Sequence, residues 1–541
     1  MKNIIFSLLI YFKISTNAYA FFGLFGSSSS KKVDCPPKTV QTKECPEGSS
    51  RILDDTYPTQ AVVISNAPYN TSNLSYHTPA IFVLEAIKAY RGQKTEKVPM
   101  FIIPIRSNSR VDRIKELVEE GLLQSGYPIE EVDKLKSRIV QAKVLGYTWQ
   151  QDYFESFYDL SSGAPEIRNF KSYKSKFHMS RKSSEKISSA LSDSSCNTQI
   201  GPPLPEDPRS SGNGEMGGNL EGLPGGGCLY GDNLGDGLAQ SICQDKKDHS
   251  QIFTSWLEVG HVDEIIKITP GNKNSNVPPE CNFTINAASP MKALELLKKD
   301  PNKTLIDPPP AGVSERPYYE NRKQKLCGVY PNIIRAKKKQ KSITPKETPR
   351  HDSKGVFNLI LPSTSHAGMV RHIGKLLREC TIENIKKMTN QDFIDAVTNT
   401  PDLFELNEVI EKTMEENLKK ITDTISRRLP QCTQFIDVMR VPDFYYSPSP
   451  TSKIIEHNGK KILAKNGDSL SFFPSPTNGV FLNETMIYSD NEVSVFKNYL
   501  KNQMEQRGNQ ARFIRTYEYA HMGEGNLHCS SHTIPFCRPR K

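Results

Sequence analysis

Short apolar runs alternate with amphipathic segments along the first part of the chain. The runs at 61–65 and 100–105 have the composition and length of buried strands. Apolar residues recur at helical spacing in 80–91, 111–123 and 131–143, which predicts three helices. Strands that alternate with helices favour an α/β fold.

The same alternation returns later in the chain, where longer loops separate the elements. Two stretches, 160–215 and 443–478, are rich in Ser, Pro and other polar residues, and they are predicted to be loops. A basic and polar stretch at 330–355 is predicted to be a further loop, within an insertion at about 330–480. The predicted strands and helices of this part cover 283–287, 290–299, 403–425, 435–441, 480–482, 491–504 and 511–517.

The first 20 residues have the organisation of a secretory signal peptide. Lys2 gives a positive start, an apolar run covers 4–12, and Ala18-Tyr19-Ala20 offers small residues for cleavage. The run is too short to span a bilayer, and no other stretch approaches that length. We therefore expect a secreted mature protein, extracellular or periplasmic, without a membrane span. An uncleaved N-terminal anchor is the alternative.

The sequence contains 11 cysteines, a number that fits an oxidising compartment. Because the number is odd, at least one cysteine is unpaired within the chain. Cys35 and Cys45 lie close together beside prolines, and they are predicted to form a clip in a linker at 21–54. Cys537 follows Cys529 closely, so a bridge between these two is the alternative to a free Cys529.

The net charge of +10 does not by itself indicate a nucleic-acid ligand. Basic residues are spread along the chain, and the densest run, at 335–341, contains no aromatic residue. Sites that bind nucleic acid usually combine such a patch with aromatic side chains. We therefore expect this run to be a solvated loop, and we expect no nucleic-acid partner.

Carboxylates, a histidine and a cysteine lie at separate places in the chain: Asp152, Glu221, the pair His261 and Asp263, and Cys529. Asp152 and Asp263 can each accept two N–H bonds from a guanidinium group, a planar cation that suits bidentate contacts. Cys529, as a thiolate, can attack the central carbon of that group. His261 can protonate the leaving ammonia and then activate water.

The spacing of His261 and Asp263 adds a geometric expectation. They are two residues apart, so on an extended segment both side chains leave the same face. The apolar residues at 265–268 predict that the segment is a strand. A solvated His–Asp pair at a strand end is the alternative, since this triplet alone is a weak signal.

Five stretches, in this order, are similar to the catalytic domain of the peptidylarginine deiminases, in the guanidino-group-modifying (pentein) superfamily. They are Trp149-Gln150-Gln151-Asp152, Gly218-Asn219-Leu220-Glu221, the segment Trp-Leu-Glu-Val-Gly-His-Val-Asp-Glu at 256–264, Ala288-Ser289-Pro290, and His528-Cys529 after Gly525. The resemblance covers residues 55–541, roughly. It implies an α/β propeller of ββαβ modules with helical and loop insertions.

The resemblance also implies an activity. Peptidyl-arginine would be hydrolysed to peptidyl-citrulline and ammonia through a covalent thiouronium intermediate on Cys529. Asp152 and Asp263 would hold the guanidinium group, and His261 would be the general acid and base. Arg168 is a candidate for the arginine with which the family contacts the substrate peptide.

A calcium site is a further implication of the resemblance. The matching positions are the side chains of Gln151, Glu155 and Glu221, with the backbone oxygens of Gly217 and Leu220. Carboxylates, an amide and carbonyls are suitable ligands for this hard cation. The family's second calcium site expects an acidic residue directly after Asp152, where this sequence has a tyrosine, so we do not expect that second site.

Two other functions remain open. The first is a deiminase or amidinotransferase of small guanidines such as arginine or agmatine. The second is an inactive protein that binds arginine side chains. The intact Asp152, His261, Asp263 and Cys529 argue against the inactive protein, whereas a bridge between Cys529 and Cys537 would support it.

Overall fold

Strands and helices alternate through the part of the chain that the computed structural model describes. The described residues are 43–539, except 48–51, 66–76, 106–107, 144–148, 153, 160–161, 163, 171–180, 193–197, 206, 208–209, 211–215, 244–247, 274–275, 311–312, 324–325, 327–380, 448–453, 466, 518 and 522–524. The strands are β1 (Thr59–Ile64), β2 (Met100–Pro104), β3 (Ile139–Ala142), β4 (Phe154–Tyr158), β5 (Pro165–Asn169), β6 (Gln199–Ile200), β7 (Leu220–Leu223), β8 (Gly227–Gly231), β9 (His249–Ile252), β10 (Ile266–Pro270), β11 (Phe283–Ser289), β12 (Asp437–Pro442), β13 (Tyr445–Tyr446), β14 (Ile454–His457), β15 (Lys460–Leu463), β16 (Leu470–Ser471), β17 (Val480–Leu482), β18 (Thr485–Ser489), β19 (Gln510–Ile514) and β20 (Ser531–Pro535). The helices are α1 (His77–Ala89), α2 (Asn108–Gln124), α3 (Ile129–Ser137), α4 (Arg181–Ser192), α5 (Asp236–Cys243), α6 (Pro290–Lys299), α7 (Ile382–Lys386), α8 (Asn390–Thr398), α9 (Pro401–Arg428) and α10 (Ser494–Gln506).

One arrangement recurs among these elements: an antiparallel pair of strands, a helix, and a third strand parallel to the second. The three-stranded sheets β4-β5-β6, β7-β8-β9, β10-β11-β12 and β17-β18-β19 all follow it. A further sheet joins the two ends of the described chain, because β20 pairs antiparallel with β1, which pairs parallel with β2. The fold is therefore mixed α/β, as the sequence predicts.

Local sequence signals account for the helices that cover these sheets. Helix α6 begins with Pro290 directly after Ser289, whose hydroxyl accepts a hydrogen bond from the Lys292 backbone N–H at 3.1 Å. Serine before a proline is a strong start signal for a helix. The long helix α9 places the fully buried Ile410 and Ile421 in the same apolar cluster as strands β10 and β11.

Three predictions from the apolar pattern are wrong. The helix predicted at 131–143 ends at Ser137, and the chain continues as β3, which pairs parallel with β2. The predicted loop at 160–215 contains β5, α4 and β6, and the predicted loop at 443–478 contains β13 to β16. Pairing stabilises these strands, β3 with the earlier β2, β5 with the neighbouring β4, and β14 with β15 in a hairpin, although each segment is too short or too polar to be recognised by itself.

The glycine-rich stretch after Leu220 is a hairpin. Strand β7 turns into β8 through Gly225 and Gly226, which have φ angles of +81° and +83°. Glycine adopts this left-handed region without a steric penalty. The strands escape prediction because glycine is depleted in most strands.

The described disulfides change the predicted connectivity. Cys45 pairs with Cys537, so the predicted clip between Cys35 and Cys45 is wrong. Two further bridges join Cys228 to Cys243 and Cys281 to Cys432. The other half of the predicted clip, Cys35, lies outside the described residues, as do Cys196, Cys327 and Cys380.

The end of the predicted linker at 21–54 packs on the rest of the protein. Cys45, Ile52 and Leu53 are buried, and an isolated β-bridge joins Ile52 to Phe157 of β4. The predicted signal peptide lies outside the described residues. Among the residues that are described, no helix has the length and apolar character needed to cross a bilayer.

Candidate active site

The predicted site residues occupy equivalent places in the repeated units, directly before the first strand of each. Asp152 precedes β4, Asp263 precedes β10 and Cys529 precedes β20. Gly218 lies in a 3₁₀ turn, Gly217–Asn219, before β7, and Asn478 precedes β17. Five segments distant in sequence thus meet in one cluster.

The segment with His261 and Asp263 is a tight turn, which corrects the prediction of an extended strand. A 3₁₀ turn covers Val262–Glu264, and β10 begins only at Ile266. The His261 backbone N–H donates to Glu264 Oε1 at 2.8 Å, and this bond closes the turn. Gly260 has a φ of +82°, which glycine tolerates best.

His261 is fully buried and faces the carboxylate of Asp152, with 3.7 Å between its Nδ1 and Asp152 Oδ1. The side chain of Asp152 is 14% exposed, so this carboxylate can be reached from solvent. Burial, together with the charge of Asp263, raises the pKa of Asp152 well above its usual value. A cation placed beside Asp152 would oppose both effects.

Asp263 is the centre of the hydrogen-bond network. Its Oδ2 lies 2.8 Å from His528 Nδ1 and accepts a longer contact from Cys529 Sγ at 3.5 Å. Burial raises the pKa of Asp263, but the hydrogen bond from His528, together with the charge of Lys267, outweighs it and holds the pKa below its usual value. The carboxylate of Asp263 is therefore ionised.

A glycine leaves room for these groups. A Cβ at Gly218 would lie 2.7 Å from His261 Nδ1 and 3.1 Å from both carboxylate oxygens of Asp263. Among the described residues, Oδ1 of Asp152 and Oδ1 of Asp263 accept no hydrogen bond. These two buried acceptors suit the N–H groups of a guanidinium ion.

Cys529 carries the thiol of the site and is not bridged. It is the free cysteine of the described residues, because Cys537 is paired with Cys45. The alternative of a bridge between Cys529 and Cys537 is therefore wrong. Burial raises the pKa of the Cys529 thiol well above its usual value, and the charges of Asp263 and Asp152 raise it further.

Asn478 is a site residue that the sequence interpretation missed. Its Nδ2 donates to Cys529 Sγ at 3.1 Å and to the Asp263 carbonyl at 3.2 Å. Its Oδ1 accepts from the Cys529 backbone N–H at 3.1 Å. Its position is the signal that could have identified it: it lies two residues before the first strand of a unit, as Asp152 and Cys529 do.

The predicted calcium ligands lie close to this cluster, and the ammonium of Lys267 lies beside one of them. Gln151 Oε1 is 2.7 Å from His532 Nδ1, and the Gly217 carbonyl accepts from the Leu220 backbone N–H. The ammonium of Lys267 lies 3.8 Å from Glu221 Oε1.

The two acidic residues of this set are nonetheless poor in partners. Glu155 Oε2 and Glu221 Oε1 accept no hydrogen bond from the described residues. Burial raises the pKa of Glu221 to about 7, against the opposing charge of Lys267. Burial and the charge of Glu221 also raise the pKa of Glu155 well above its usual value.

Arg168, the candidate contact for a substrate peptide, is engaged within the protein. It lies opposite Glu155 in the register of the antiparallel strands β4 and β5. Its Nε donates to Glu166 Oε1 at 2.5 Å, and its guanidinium carbon lies 4.9 Å from the ring centre of Phe157. The role of Arg168 in substrate binding stays a prediction.

Comparison with protein families gives one match. The model of a family described as protein-arginine deiminase (PAD) matches residues 238–537. This range contains His261, Asp263 and Cys529. A comparison of the sequence with curated proteins finds no match.

Comparison with solved structures finds distant likenesses. Agmatine deiminase from C. jejuni is 10% identical, with a TM-score of 0.40 over 90% of this chain and 96% of that one. The putative arginine deiminase from Porphyromonas gingivalis is 12% identical, with a TM-score of 0.38 over 90% and 99%. Agmatine deiminase from Enterococcus faecalis is 11% identical, with a TM-score of 0.39 over 91% and 99%. At such low identities and TM-scores, these likenesses carry no argument about the substrate of this chain.

Proposed function

The chain belongs to the protein-arginine deiminase family, and from this premise we propose that it hydrolyses peptidyl-arginine to peptidyl-citrulline and ammonia. One observation carries the proposal. A buried, unbridged thiol lies beside two carboxylates that each keep an unused oxygen, and a buried histidine faces one of them. This arrangement suits a planar cation with an electrophilic central carbon.

Binding of the substrate brings a positive charge to the two carboxylates of the site. The guanidinium group lies between Asp152 and Asp263 and donates its N–H groups to their free oxygens. Its positive charge then offsets the two carboxylates that raise the pKa of Cys529. The thiol loses its proton to His261, and the thiolate is formed where the carbon atom is held.

The reaction proceeds in two balanced halves. The Cys529 sulfur forms a bond to the guanidinium carbon, one C–N bond breaks, and His261 returns the proton to the leaving ammonia. The product of this half is a thiouronium on Cys529. His261 then takes a proton from water, whose oxygen bonds to the carbon. The C–S bond breaks, the remaining O–H proton passes to solvent as the citrulline carbonyl forms, and His261 returns its proton to the Cys529 sulfur, which restores the thiol.

Asn478 supports both halves by its contacts. Its Nδ2 donates to the sulfur of Cys529, and its Oδ1 fixes the backbone of the same residue. A donor at 3.1 Å favours the anionic form of a sulfur over the neutral form. It also aims the sulfur at the space beside Asp263.

The architecture and the destination follow as further parts of the proposal. We propose that the ββαβ units form a propeller around the site, which is supported by the equivalent position of the site residues before the first strands. We also propose that the protein is secreted, extracellular or periplasmic. The three described disulfides support that compartment, since such bonds persist in oxidising surroundings.

The test is formation of the ureido product by the purified full chain, produced in an oxidising compartment: citrulline from an arginine residue or from free arginine, and N-carbamoylputrescine from agmatine. The substrates are a blocked arginine peptide, free arginine and agmatine, with Cys529→Ala as the matched inactive variant. Citrulline from the peptide alone, absent in the variant, supports the proposal. Product from free arginine or agmatine alone moves the protein to the small guanidines. No product from any substrate refutes deimination.

A further inference from the structure

Lys267 is a buried lysine behind the candidate active site. It lies on β10, a few residues after Asp263, and its side chain is 1% exposed. Lysine is almost never fully buried unless its charge is paired. Its ammonium forms an ion pair with Asp55 Oδ2 and lies 3.8 Å from Glu221 Oε1 and 2.7 Å from His528 Nε2.

The contact with His528 fixes the proton on that ring. An ammonium group has only donors, so Nε2 of His528 is the acceptor in this pair. The ring proton then lies on Nδ1, which donates to Asp263 Oδ2 at 2.8 Å. A chain of contacts thus runs from Asp55 through Lys267 and His528 to the carboxylate beside Cys529.

The ammonium also lies beside Glu221, one of the acidic residues that a calcium ion would need. Burial lowers the pKa of Lys267, but the charges of Asp55 and Glu221 outweigh it and hold that pKa above its usual value. A calcium ion bound to Glu221 at about 2.4 Å would share this oxygen with the ammonium. Two cations would then compete for one carboxylate.

We propose that Lys267 is the built-in cation of this site, and that it positions His528 and Asp263 without any bound calcium. Three observations carry the proposal: full burial, direct contact with His528, and an ion pair with Asp55 beside Glu221. Lys267 is thus a positioning residue, since its effect on Cys529 passes through His528 and Asp263. Only the kinetic part of the proposal rests on the proposed function.

The first measurement is calcium binding to the full, unmodified chain. Equilibrium dialysis with radioactive calcium and a thermal melt with calcium or chelator are the two readouts. The expected results are no bound ion and the same Tm in both conditions. One ion bound per chain with a higher Tm overturns the proposal, whether or not any arginine substrate is turned over.

The second measurement uses Lys267→Ala, which leaves the carboxylates of Asp55, Glu155 and Glu221 without their cation. This variant is expected to gain calcium binding, with a Tm increase of about 3 °C or more in calcium. Lys497→Ala is the matched control and should gain no calcium response, because Lys497 also lies between two carboxylates, Asp307 and Asp490, away from the site. A Lys267→Ala variant that folds but shows no calcium response overturns the proposal.

The third measurement separates positioning from packing. Lys267→Met keeps the volume and removes the charge, and it is expected to lower kcat about 10- to 100-fold with little change in KM. Its pH profile should shift, because Asp263 loses a fixed hydrogen-bond donor. A kcat and a pH profile equal to those of the unmodified chain overturn the positioning role.

The tautomer of His528 provides a readout that needs no variant. Nitrogen-15 NMR of the unmodified chain is expected to show His528 neutral, with its proton on Nδ1. A proton on Nε2 would mean that Lys267 does not donate to this ring, and it would overturn the proposal even if the Lys267 variants fail to fold.

Discussion

Replacement of Asn478 by alanine tests how the sulfur of Cys529 is held. Asn478 is buried and makes three contacts in the site: to Cys529 Sγ, to the Cys529 backbone N–H and to the Asp263 carbonyl. Asn478→Ala removes all of them and leaves the sulfur without its amide donor. The substitution should destabilise mainly the state in which the Cys529 sulfur is an anion.

The size of the effect follows from that charge. A hydrogen bond to a charged group contributes about 1.5–3 kcal/mol. Each 1.36 kcal/mol corresponds to a tenfold change in rate, so kcat/KM should fall by about 10- to 100-fold. The lost donor favoured the thiolate, so its removal should also raise the pKa of Cys529 further.

The assay measures kcat/KM for a blocked arginine peptide together with the pH dependence of Cys529 alkylation. Asn407→Ala is the matched control, because Asn407 is also fully buried and bonds to the backbone of Tyr445, away from the site. Both variants should lose stability, but only Asn478→Ala should lose activity. Equal activities of the two variants, or an unchanged alkylation profile, would show that Asn478 does not hold the sulfur of Cys529.

Three further predictions follow from the same geometry. Gly218→Ala places a methyl group 2.7 Å from His261 Nδ1, so kcat/KM should fall about 100-fold, and activity near that of the unmodified chain would contradict the close approach. Because the pKa of Cys529 is raised in the free protein, its thiolate fraction should be small at neutral pH and should grow as the pH rises. The rate of alkylation by neutral iodoacetamide should therefore still increase above about pH 9. A rate that reaches its plateau below about pH 8 would contradict a raised pKa. Cys45→Ser removes the bridge to Cys537 and should lower the free energy of unfolding by about 2–5 kcal/mol in denaturant titrations, whereas an unchanged midpoint would show that the bridge does not constrain the chain.

The sequence predicts the elements whose own pattern is strong. The apolar runs that become β1, β2 and β11 are confirmed, as are the amphipathic helices α1, α2 and α9. The predictions fail where pairing with a remote strand decides the structure, as in β3, or where glycines replace the usual strand residues, as in β7 and β8. The Cys45–Cys537 bridge is of the same kind, since its partners are separated by 492 residues.

The residues of the candidate site also fall into two groups, those that the sequence indicates and one that it does not. Asp152, His261, Asp263 and Cys529 have side chains with distinctive chemistry, so their types and their order along the chain are enough to indicate a site. Asn478 lies in a stretch rich in Pro, Ser and Asn, where one more asparagine carries no signal.

Lys267 is a charged residue whose role the sequence also does not predict. It occurs within an apolar strand, and its partners Asp55, Glu221 and His528 come from three distant segments. Contacts of this kind depend on the fold as a whole, and no local pattern predicts them.

The most direct test of the account is detection of the bond between Cys529 and the substrate. The full chain is mixed with a blocked arginine peptide, quenched in acid during turnover, digested, and examined by mass spectrometry. The expected result is a thiouronium adduct of the substrate peptide on Cys529, absent in Cys529→Ala. Citrulline formed with no adduct on Cys529, or with an adduct on another residue, would contradict it.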